Sequence, residues 1–428
     1  MPRWLYFLLI FAVLAPILDA FHIPPLALFA IAALGIIPLA ALIGQAVEDI
    51  AEYTGEQVGG ILFATFGNAT ELIISIFALA QGLTDVVRAS IIGSILGNAL
   101  LVLGVAVCVG SFKHGRLRFE TRSAGQYASL LALCIGGLVL PTIANLHITA
   151  TQPSRIVEDE LSDFIAIVLL LGYVASILFS VFRVGDRGAE DTGDREELDP
   201  VLGARSEAAI TRLLAYRSRV AKTATPGKSG VLRQIDGAID ALVAPDPAVS
   251  AKADPPAVPV SSPPAQQQAH QQTRRPPLWR GLVLLAVATV GVAILSEVLV
   301  SAIEPVAHSL GWNEAFVGLV FVPLIGGLPE YFNTISMALD RRIGMVLAAS
   351  AGSSIQIALL MAPILVLVSL LTPQRLDLVF SIVELAVLAL ATFLFSEITK
   401  DGELVWLEGL LLILLYGMMA GTIFLFGG

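Results

Sequence analysis

The sequence predicts an all-α polytopic membrane protein with about eleven transmembrane helices, arranged as one extra N-terminal helix and two inverted five-helix repeats. Of its 428 residues, 56% are hydrophobic and only 14% are charged. Runs of about 20 mainly apolar residues recur, and each is long enough to cross roughly 30 Å of hydrocarbon. A soluble protein of this length would carry shorter and more patterned apolar runs. The net charge of −10 does not indicate nucleic-acid binding, because the acidic residues lie mostly in loops.

Eleven apolar segments are predicted to span the membrane. They are 5–22, 26–47, 57–82, 86–111, 123–143, 161–183, 280–304, 313–338, 343–371, 376–397 and 404–427. No small-residue cleavage site follows the first segment, so it is predicted to be a helix and not a signal peptide. Cys108 and Cys134 lie far apart in apolar segments, which favours small buried side chains over a disulfide or a metal site.

Residues 184–279 interrupt the apolar pattern and are predicted to form a cytoplasmic, partly disordered linker. The tract DPPAVPVSSPPAQQQAHQQTRRPP has too few apolar residues to build a core. Two segments before it, AAITRLLAYRSRV and GVLRQIDGAIDALV, have helical spacing. They fit helices on the membrane surface or against the transporter, and a structureless tether fits equally well.

Positive charge predicts the orientation of the chain, since cytoplasmic loops carry an excess of Lys and Arg. The basic loop residues are Lys113, Arg116, Arg118, Arg122, Arg341 and Arg342, and the linker adds Arg212, Arg217, Arg219 and Lys222. The opposite loops, such as LDAFHIPP and VEDELSD, are poor in both. The N terminus and the linker are therefore predicted to be cytoplasmic, in a prokaryotic plasma membrane because no organelle-targeting extension is visible.

Two carboxylates lie at matching positions inside apolar spans. GNATELIISIFALAQG contains Glu71, and GLVFVPLIGGLPEYFNTISMAL contains Glu330. Ser94 follows the first carboxylate by 23 positions, and Ser353 follows the second by 23. A matched pair of polar, Gly-interrupted segments indicates an internal repeat. A charge near a bilayer centre costs about 2.5–3.5 kcal/mol on insertion scales, so a pair at matched positions predicts a functional site.

The repeats are predicted to cover residues 26–183 and 280–428, with residues 1–25 as the extra first helix. Each repeat holds five spans. Because five is odd, the second half inserts in the opposite orientation to the first. The two carboxylates should then face each other near the midplane of the membrane.

Oxygen-bearing side chains accompany each carboxylate at helical spacing. Carboxylate, amide and hydroxyl oxygens form a hard-oxygen site that suits Ca²⁺, which takes six to eight oxygen ligands. No histidine or thiolate joins the group, which argues against zinc or copper. The predicted ligands are Glu71, Glu330, Asn68, Asn98, Gln356, Ser94 and Ser353.

Glycine and proline are predicted to interrupt the helices just before each carboxylate. Pro329 lacks an amide hydrogen, so the carbonyl of Ile325 loses its usual partner. Freed carbonyls at this depth must face protein, water or an ion. The interrupting residues are Gly67, Pro323, Gly326, Gly327 and Pro329.

Packing explains other polar residues in the spans as well as function does. Ser90 and Ser350 have the spacing of helix–helix hydrogen bonds, and for them that interpretation is favoured. Glu297 and Glu384 fit a structural or loop-facing role as well as a functional one. The cluster Glu48, Asp49 and Glu52 fits either a solvated span end or the lining of an entrance.

The segments GNATELIISIFAL and GSILGNALLVLG resemble the signature of the Ca²⁺/H⁺ (cation/proton) exchangers of the Ca²⁺:cation antiporter superfamily. In the second half, SEVLVSAIEPVAHSLGWNEAFVGLVFVPLIG and GSSIQIALLMAP are similar in character. The resemblance implies eleven helices and binding of Ca²⁺ alternately with protons at Glu71 and Glu330. The second signature departs from the family's Gly-Asn-Ala-Ala-Glu-His, because GGLPEY places Gly327, Pro329 and Tyr331 where the family has Asn, Ala and His. Ion selectivity and proton coupling are therefore expected to differ.

The predicted function is secondary active antiport of cytoplasmic Ca²⁺ against H⁺ by alternating access, and not enzyme catalysis. Two carboxylates neutralise one divalent ion, and burial disfavours their charged form, so protons compete for them. Ca²⁺ and H⁺ are transported substrates, the bilayer is the expected partner, and neither a cofactor nor nucleic acid is expected. Na⁺ or K⁺ as the coupling ion and a cation channel are the alternatives, and Mn²⁺ and Cd²⁺ are candidate co-substrates.

Overall fold

The computed structural model describes residues 3–54, 59, 61–62, 65–151, 155–180 and 278–426. These residues belong to one compact unit, made of residues 1–184 and 273–428. The predicted linker lies outside the described residues except for its last two positions, Leu278 and Trp279. Those two begin a helix, so the second apolar half starts slightly earlier than predicted.

Among the described residues, the elements of the first half with defined bounds are a short 3₁₀ turn, six helices and a two-residue strand. The 3₁₀ turn is Arg3–Leu8, and the other elements are α1 Leu9–Ala20, α2 Pro25–Thr54, α3 Ala69–Ala80, α4 Thr84–His114, β1 Leu117–Arg118, α5 Thr121–Thr151 and α6 Arg155–Ser180. The start of the predicted span 57–82 lies largely outside the described residues.

The second half repeats this pattern of long apolar helices. Its elements are α7 Leu278–Ser301, α8 Ile303–Leu310, α9 Glu314–Leu339, α10 Ile343–Ser369, α11 Ile382–Ile398, β2 Glu403–Leu404 and α12 Trp406–Phe426. Among the described residues, eight helical stretches are long and apolar enough to cross a membrane, and shorter apolar helices account for the remaining predicted spans. The prediction of an all-α polytopic membrane protein is confirmed.

The predicted span 376–397 is wrong at its start, because the helix begins only at Ile382. The preceding segment is extended, and its backbone bonds to side chains of the first half. Ser162 Oγ accepts from the Leu378 amide at 3.2 Å, and Thr142 Oγ1 accepts from the Phe380 amide at 2.9 Å. Leu378 and Phe380 are buried apolar residues, and the sequence of this segment is as apolar as that of a membrane helix. Hydropathy alone cannot separate the two.

The predicted interruptions are confirmed in α3 and wrong in α9. Gly67 lies in a turn just before α3. Gly326, Gly327 and Pro329 lie instead inside continuous helix, and Pro323 lies in its first turn after a π turn. Neighbouring protein can satisfy the carbonyl that a proline frees in a membrane helix, so the helix need not break.

Three of the long helices contain a π turn among the residues that the structure describes. These turns are Gly97–Val102 in α4, Val317–Phe321 in α9 and Ile357–Met361 in α10. A π turn adds a residue to one helical turn and disturbs the regular backbone bonds, and such turns are frequent at functional sites. The turns of α4 and α10 follow Ser94 and Ser353, respectively, by a few residues.

The backbones of α4 and α9 touch where the helices cross. A Cβ atom on Gly93 would lie 2.1 Å from the carbonyl oxygen of Leu319, and one on Gly318 would lie 2.3 Å from that of Val86. Only glycine fits at either position, as expected for closely packed membrane helices. This crossing brings together the helices that carry Ser94 and Glu330.

A short antiparallel ribbon joins the two halves at the other end of α4. Strands β1 and β2 pair Leu117 with Leu404 and Arg118 with Glu403. Arg116 and Arg118 both form ion pairs with Glu403, at 3.2 and 3.0 Å. Exposed pairs of this kind add little stability, so the ribbon mainly fixes how the connections run.

Candidate cation site

Glu71 lies in the first turn of α3, where the chain enters the helix from the turn at Gly67 and Asn68. Its side chain is only 3% exposed. Ser94 Oγ donates to Glu71 Oε1 at 3.2 Å, while Glu71 Oε2 has no hydrogen-bond partner among the described residues. The positive end of the helix dipole favours an anion here. A buried carboxylate oxygen without a partner nevertheless calls for a proton or a cation.

Glu330 has the same serine partner in the second half. Ser353 Oγ donates to Glu330 Oε1 at 2.8 Å. The structure thus brings each carboxylate together with the serine 23 positions after it, as the repeat predicted. Glu71 and Glu330 lie within electrostatic range of each other. Two such carboxylates repel each other when both are charged, and one divalent ion between them removes that repulsion.

The predicted amide ligands do not all stand free. Asn68 Nδ2 donates to Gln356 Oε1 at 3.1 Å, a bond between the first and second halves. Asn98 is buried, and its Nδ2 has no hydrogen-bond partner among the described residues. Gln356 therefore holds Asn68, with one of its own acceptor sites already used by that bond.

The second signature packs directly against the carboxylate of the first half. A Cβ atom on Gly326 would lie 2.6 Å from Glu71 Cγ, and one on Gly327 would lie 3.4 Å from Glu71 Oε1. Tyr331 lies within electrostatic range of both Glu71 and Glu330. The departure GGLPEY therefore faces the site and opens space beside it.

A cavity of about 530 Å³ reaches the site from one end of the molecule. Glu330, Ser353 and Gln356 lie along it, and Glu48 and Arg342 lie nearer the helix ends. Glu71 is not among the lining residues. Of the acidic cluster, which fits either a solvated span end or the lining of an entrance, Glu48 lines this cavity among the described residues and Asp49 and Glu52 do not.

A second cavity, of about 710 Å³, lies at the opposite end of α4 and does not reach Glu71 or Glu330. Its wall includes Asp85 and Arg88. Arg88 forms ion pairs with Asp85 at 2.8 Å and with Asp377 at 2.9 Å, and so connects α4 to the extended segment of the second half. Of these two cavities, as lined by the described residues, only the 530 Å³ one reaches a carboxylate of the pair, Glu330.

The remaining polar candidates have structural settings. Glu384 completes a capping box with Ser381 at the start of α11. Glu297 is the exception, because it is exposed on the outer face of α7, in line with the exposed apolar residues Val290 and Ile294. Ser90 Oγ bonds to the carbonyl of Val87 within its own helix and lies 3.4 Å from Ser75 Oγ on α3. Cys108 is half-buried, Cys134 is buried, and both are free.

Sequence reasoning missed two contributors. Gly326 was assigned to a helix break, whereas its lack of a side chain is what lets Glu71 pack against α9. Ser354 was not singled out, although it is fully buried and its Oγ lies within hydrogen-bond distance of the carbonyl of Ile95 on α4, at 3.1 Å, as well as that of Ser350 in its own helix. Its four-residue spacing from Ser350 was the available signal.

Known proteins match this chain over nearly its whole length. A model of the sodium/calcium exchanger protein family matches residues 24–182 and 280–425. A Ca(2+)/H(+) antiporter of Synechocystis sp. is 33% identical over 398 residues, 92% of this chain and 90% of the relative. The Ca(2+)/H(+) antiporter ChaA of Bacillus subtilis is 31% identical over 94% of this chain and 93% of the relative. The solved structure of native YfkE has a TM-score of 0.70 and 29% identity, over 98% of this chain and 99% of that one.

Proposed function

This chain belongs to the sodium/calcium exchanger protein family, and we propose that it exports Ca²⁺ from the cytoplasm in exchange for H⁺. The family match confirms the resemblance seen in GNATELIISIFAL. The observation that carries the proposal is the pair formed by Glu71 and Glu330. Each carboxylate has one serine donor, and the buried Glu71 Oε2 has no partner.

The proposed ligand shell joins both halves around one ion. Two carboxylates match the charge of Ca²⁺, and neutral oxygens complete a coordination number of six to eight. Each serine hydroxyl donates a hydrogen bond to a carboxylate and keeps its lone pairs for the ion. The proposed ligands are Glu71, Glu330, Asn68, Asn98, Gln356, Ser94 and Ser353. Among the described residues, no three His, Cys, Asp or Glu side chains gather around a single point, so neutral oxygens must supply most of the shell.

Exchange follows from competition between the ion and protons for the same two carboxylates. Burial disfavours two bare charges, so the pair holds either Ca²⁺ or protons. A state that carries neither is costly, and this penalty couples the two fluxes. Access then has to alternate between the two ends of the molecule, since an ion that reached both ends at once would leak.

The 530 Å³ cavity is proposed to open to the cytoplasm. Its wall includes Arg342, and Lys113 at the end of α4 donates to the carbonyl of Leu339 nearby. The positive-inside rule places such basic loops in the cytoplasm. The N terminus and residues 184–279 belong on the same side. A single cysteine in place of Asp340, in a background free of Cys108 and Cys134, would test this with a membrane-impermeant maleimide. Labelling in everted vesicles and not in intact cells is the expected result.

Everted membrane vesicles test the proposed activity. With an acidic lumen, external Ca²⁺ should accumulate and the proton gradient should partly collapse upon addition of Ca²⁺. A sodium-loaded lumen without a pH gradient should drive no accumulation. Accumulation driven by Na⁺ alone would show a different coupling ion, which the altered residues Gly327 and Tyr331 make the main alternative. Ca²⁺ equilibration without any gradient would indicate a channel.

A further inference from the structure

The π turn of α4 is tied to the second half by two serines of α10. Ser350 Oγ donates to the backbone carbonyl of Asn98 at 2.6 Å, and Ser354 Oγ shares its proton between the carbonyl of Ile95 at 3.1 Å and that of Ser350 in its own helix at 3.0 Å. Both serines are at most 2% exposed. A π turn disturbs the helical bonding of nearby carbonyls, and in a dry interior each carbonyl needs a donor. These hydroxyls supply the donors.

The equivalent turn in α10 has no such donors from α4. Glu330 follows Glu71 by 259 positions. By the same offset, Ile91 and Ile95 of the first half are the sequence equivalents of Ser350 and Ser354 of the second half. Both isoleucines are fully buried. The contacts themselves are reciprocal, since α10 packs on the α4 turn and α4 packs on the α10 turn. Of the two π turns, only the one in α4 receives side-chain hydrogen bonds from these positions across the contact between α4 and α10, among the described residues.

We propose that Ser350 and Ser354 are positioning residues, which anchor the α4 π turn. This anchoring keeps Ser94 and Asn98 in place at the ion site. The α10 π turn is the less restrained of the two turns. The proposal rests on the proposed function for its effect on Ca²⁺ binding. Ser94 lies one residue before Ile95 and donates to Glu71, and Asn98 is the residue whose carbonyl Ser350 holds. Movement of this turn would therefore displace a ligand and the donor to a ligand together.

Amide hydrogen exchange on the full-length protein in lipid nanodiscs tests the anchoring without any transport. In the wild type, peptides covering Gly97–Val102 should exchange about three- to tenfold more slowly than peptides covering Ile357–Met361, the factor expected from one or two buried hydrogen bonds. The double variant Ser350→Ala/Ser354→Ala should remove that difference. Ser296→Ala is the matched control, since Ser296 Oγ is fully buried on α7 and has no partner among the described residues. Equal rates in the wild type, or a difference that survives the double substitution, would overturn the proposal.

Transport kinetics in everted vesicles test the positioning. The double variant should raise the KM for Ca²⁺ about three- to tenfold, as loss of a hydrogen bond predicts, with a maximal rate within about twofold of the wild type. Ser296→Ala should leave both values unchanged. An unchanged KM, or a fall in maximal rate alone, would refute the positioning role. If the wild type shows no Ca²⁺/H⁺ exchange, the proposed function fails, and the exchange of amide hydrogens still decides whether the turn is anchored.

Discussion

The two halves of the protein share a carboxylate and its serine, but they place them in different surroundings. Glu71 starts a helix, is 3% exposed and keeps one oxygen without a partner. Glu330 lies within the continuous helix α9 and lines a cavity that opens at one end of the molecule. The bond from the serine is present in both, at 3.2 and 2.8 Å. The repeated geometry is thus the carboxylate with its hydroxyl donor, whereas access to it is not repeated.

The difference extends to the groups around each carboxylate. Asn68 supplies an amide in the first half, and Gly327 supplies only space at the equivalent position. The space at Gly327 lies beside Glu71, so the second half leaves room for the side chain of Glu71. On the proposed function, we expect the first half to hold the ion more closely and the second half to admit it. Substitutions in matched pairs can break or sharpen this view.

Neutralising either carboxylate should have the largest effect. Glu71→Gln and Glu330→Gln each keep the side chain's size but remove one charge and one exchangeable proton. The remaining carboxylate neutralises only half the charge of Ca²⁺, and an uncompensated buried charge costs about 3–5 kcal/mol, so Ca²⁺/H⁺ exchange in everted vesicles should fall by more than about a hundredfold in both variants.

Glu297→Gln is the matched control for that loss, because Glu297 is exposed on the outer face of α7. It should transport like the wild type, and all three variants should express as folded, membrane-inserted protein. Substantial exchange by Glu71→Gln or Glu330→Gln would contradict a shared site, and the two halves would then not act on one ion.

Adding a methyl group at Gly326 should have the next largest effect. Its Cβ would lie 2.6 Å from Glu71 Cγ, so Gly326→Ala must push the first-half carboxylate away from Ser94. Overpacking of this kind costs about 1–3 kcal/mol, which predicts a rise of about tenfold in the KM for Ca²⁺. Gly344→Ala, where a Cβ meets open space, should change little. Equal behaviour of the two variants would show that Glu71 is free to move without loss.

Restoring the family residues in the second signature should have a smaller effect. In Gly327→Asn/Tyr331→His, the new amide would stand next to Glu71 Oε1, and the new imidazole would titrate near neutral pH. The KM for Ca²⁺ or the pH dependence of exchange should shift by a few-fold, as one additional polar contact predicts. Identical pH and ion profiles for variant and wild type would mean that both positions leave the ion untouched.

Shortening the linker should have the smallest effect. Deletion of about Pro247 to Gln272 leaves the described helices of both halves unchanged, and those helices pack into one unit. Exchange in vesicles should stay within about twofold of the wild type, because a longer or shorter tether changes association within a packed unit very little. Loss of exchange in a correctly inserted deletion would assign this tract a role in closing or regulating the site.

Much of the fold could be predicted because hydropathy and span length report helices in lipid directly. The same signal failed before Ile382, where an extended segment is equally apolar and its amides bond to Ser162 and Thr142. Side chains from distant helices decide that conformation, and no local pattern records them. The π turns were not predicted for a similar reason, because they depend on contacts between helices.

The carboxylates and their serines could be predicted because the repeat marks them twice at one spacing. The hydrogen bond between Asn68 and Gln356 could not be predicted. The sequence alone does not distinguish an amide side chain that is bonded to another amide from one that is free to bind an ion. Gly326 and Ser354 act through contacts between the halves, which only the folded structure shows. Sequence spacing therefore identified the charged centre, and the neutral groups around it required the packing.

The crossing of α4 and α9 has a mechanical consequence. Because Gly93 and Gly318 bring two backbones into contact, no side-chain layer lets the helices slide or approach further, and rotation about the contact is the movement left to them. Glu330 lies 11 residues beyond Leu319, which is about 16 Å along the helix at 1.5 Å per residue. Rotation of this part of α9 by about 10° about the contact with α4 would move the carboxylate by about 3 Å. Ca²⁺ holds its oxygens at about 2.3–2.6 Å, so on the proposed function a small rotation about this contact would be enough to release the ion.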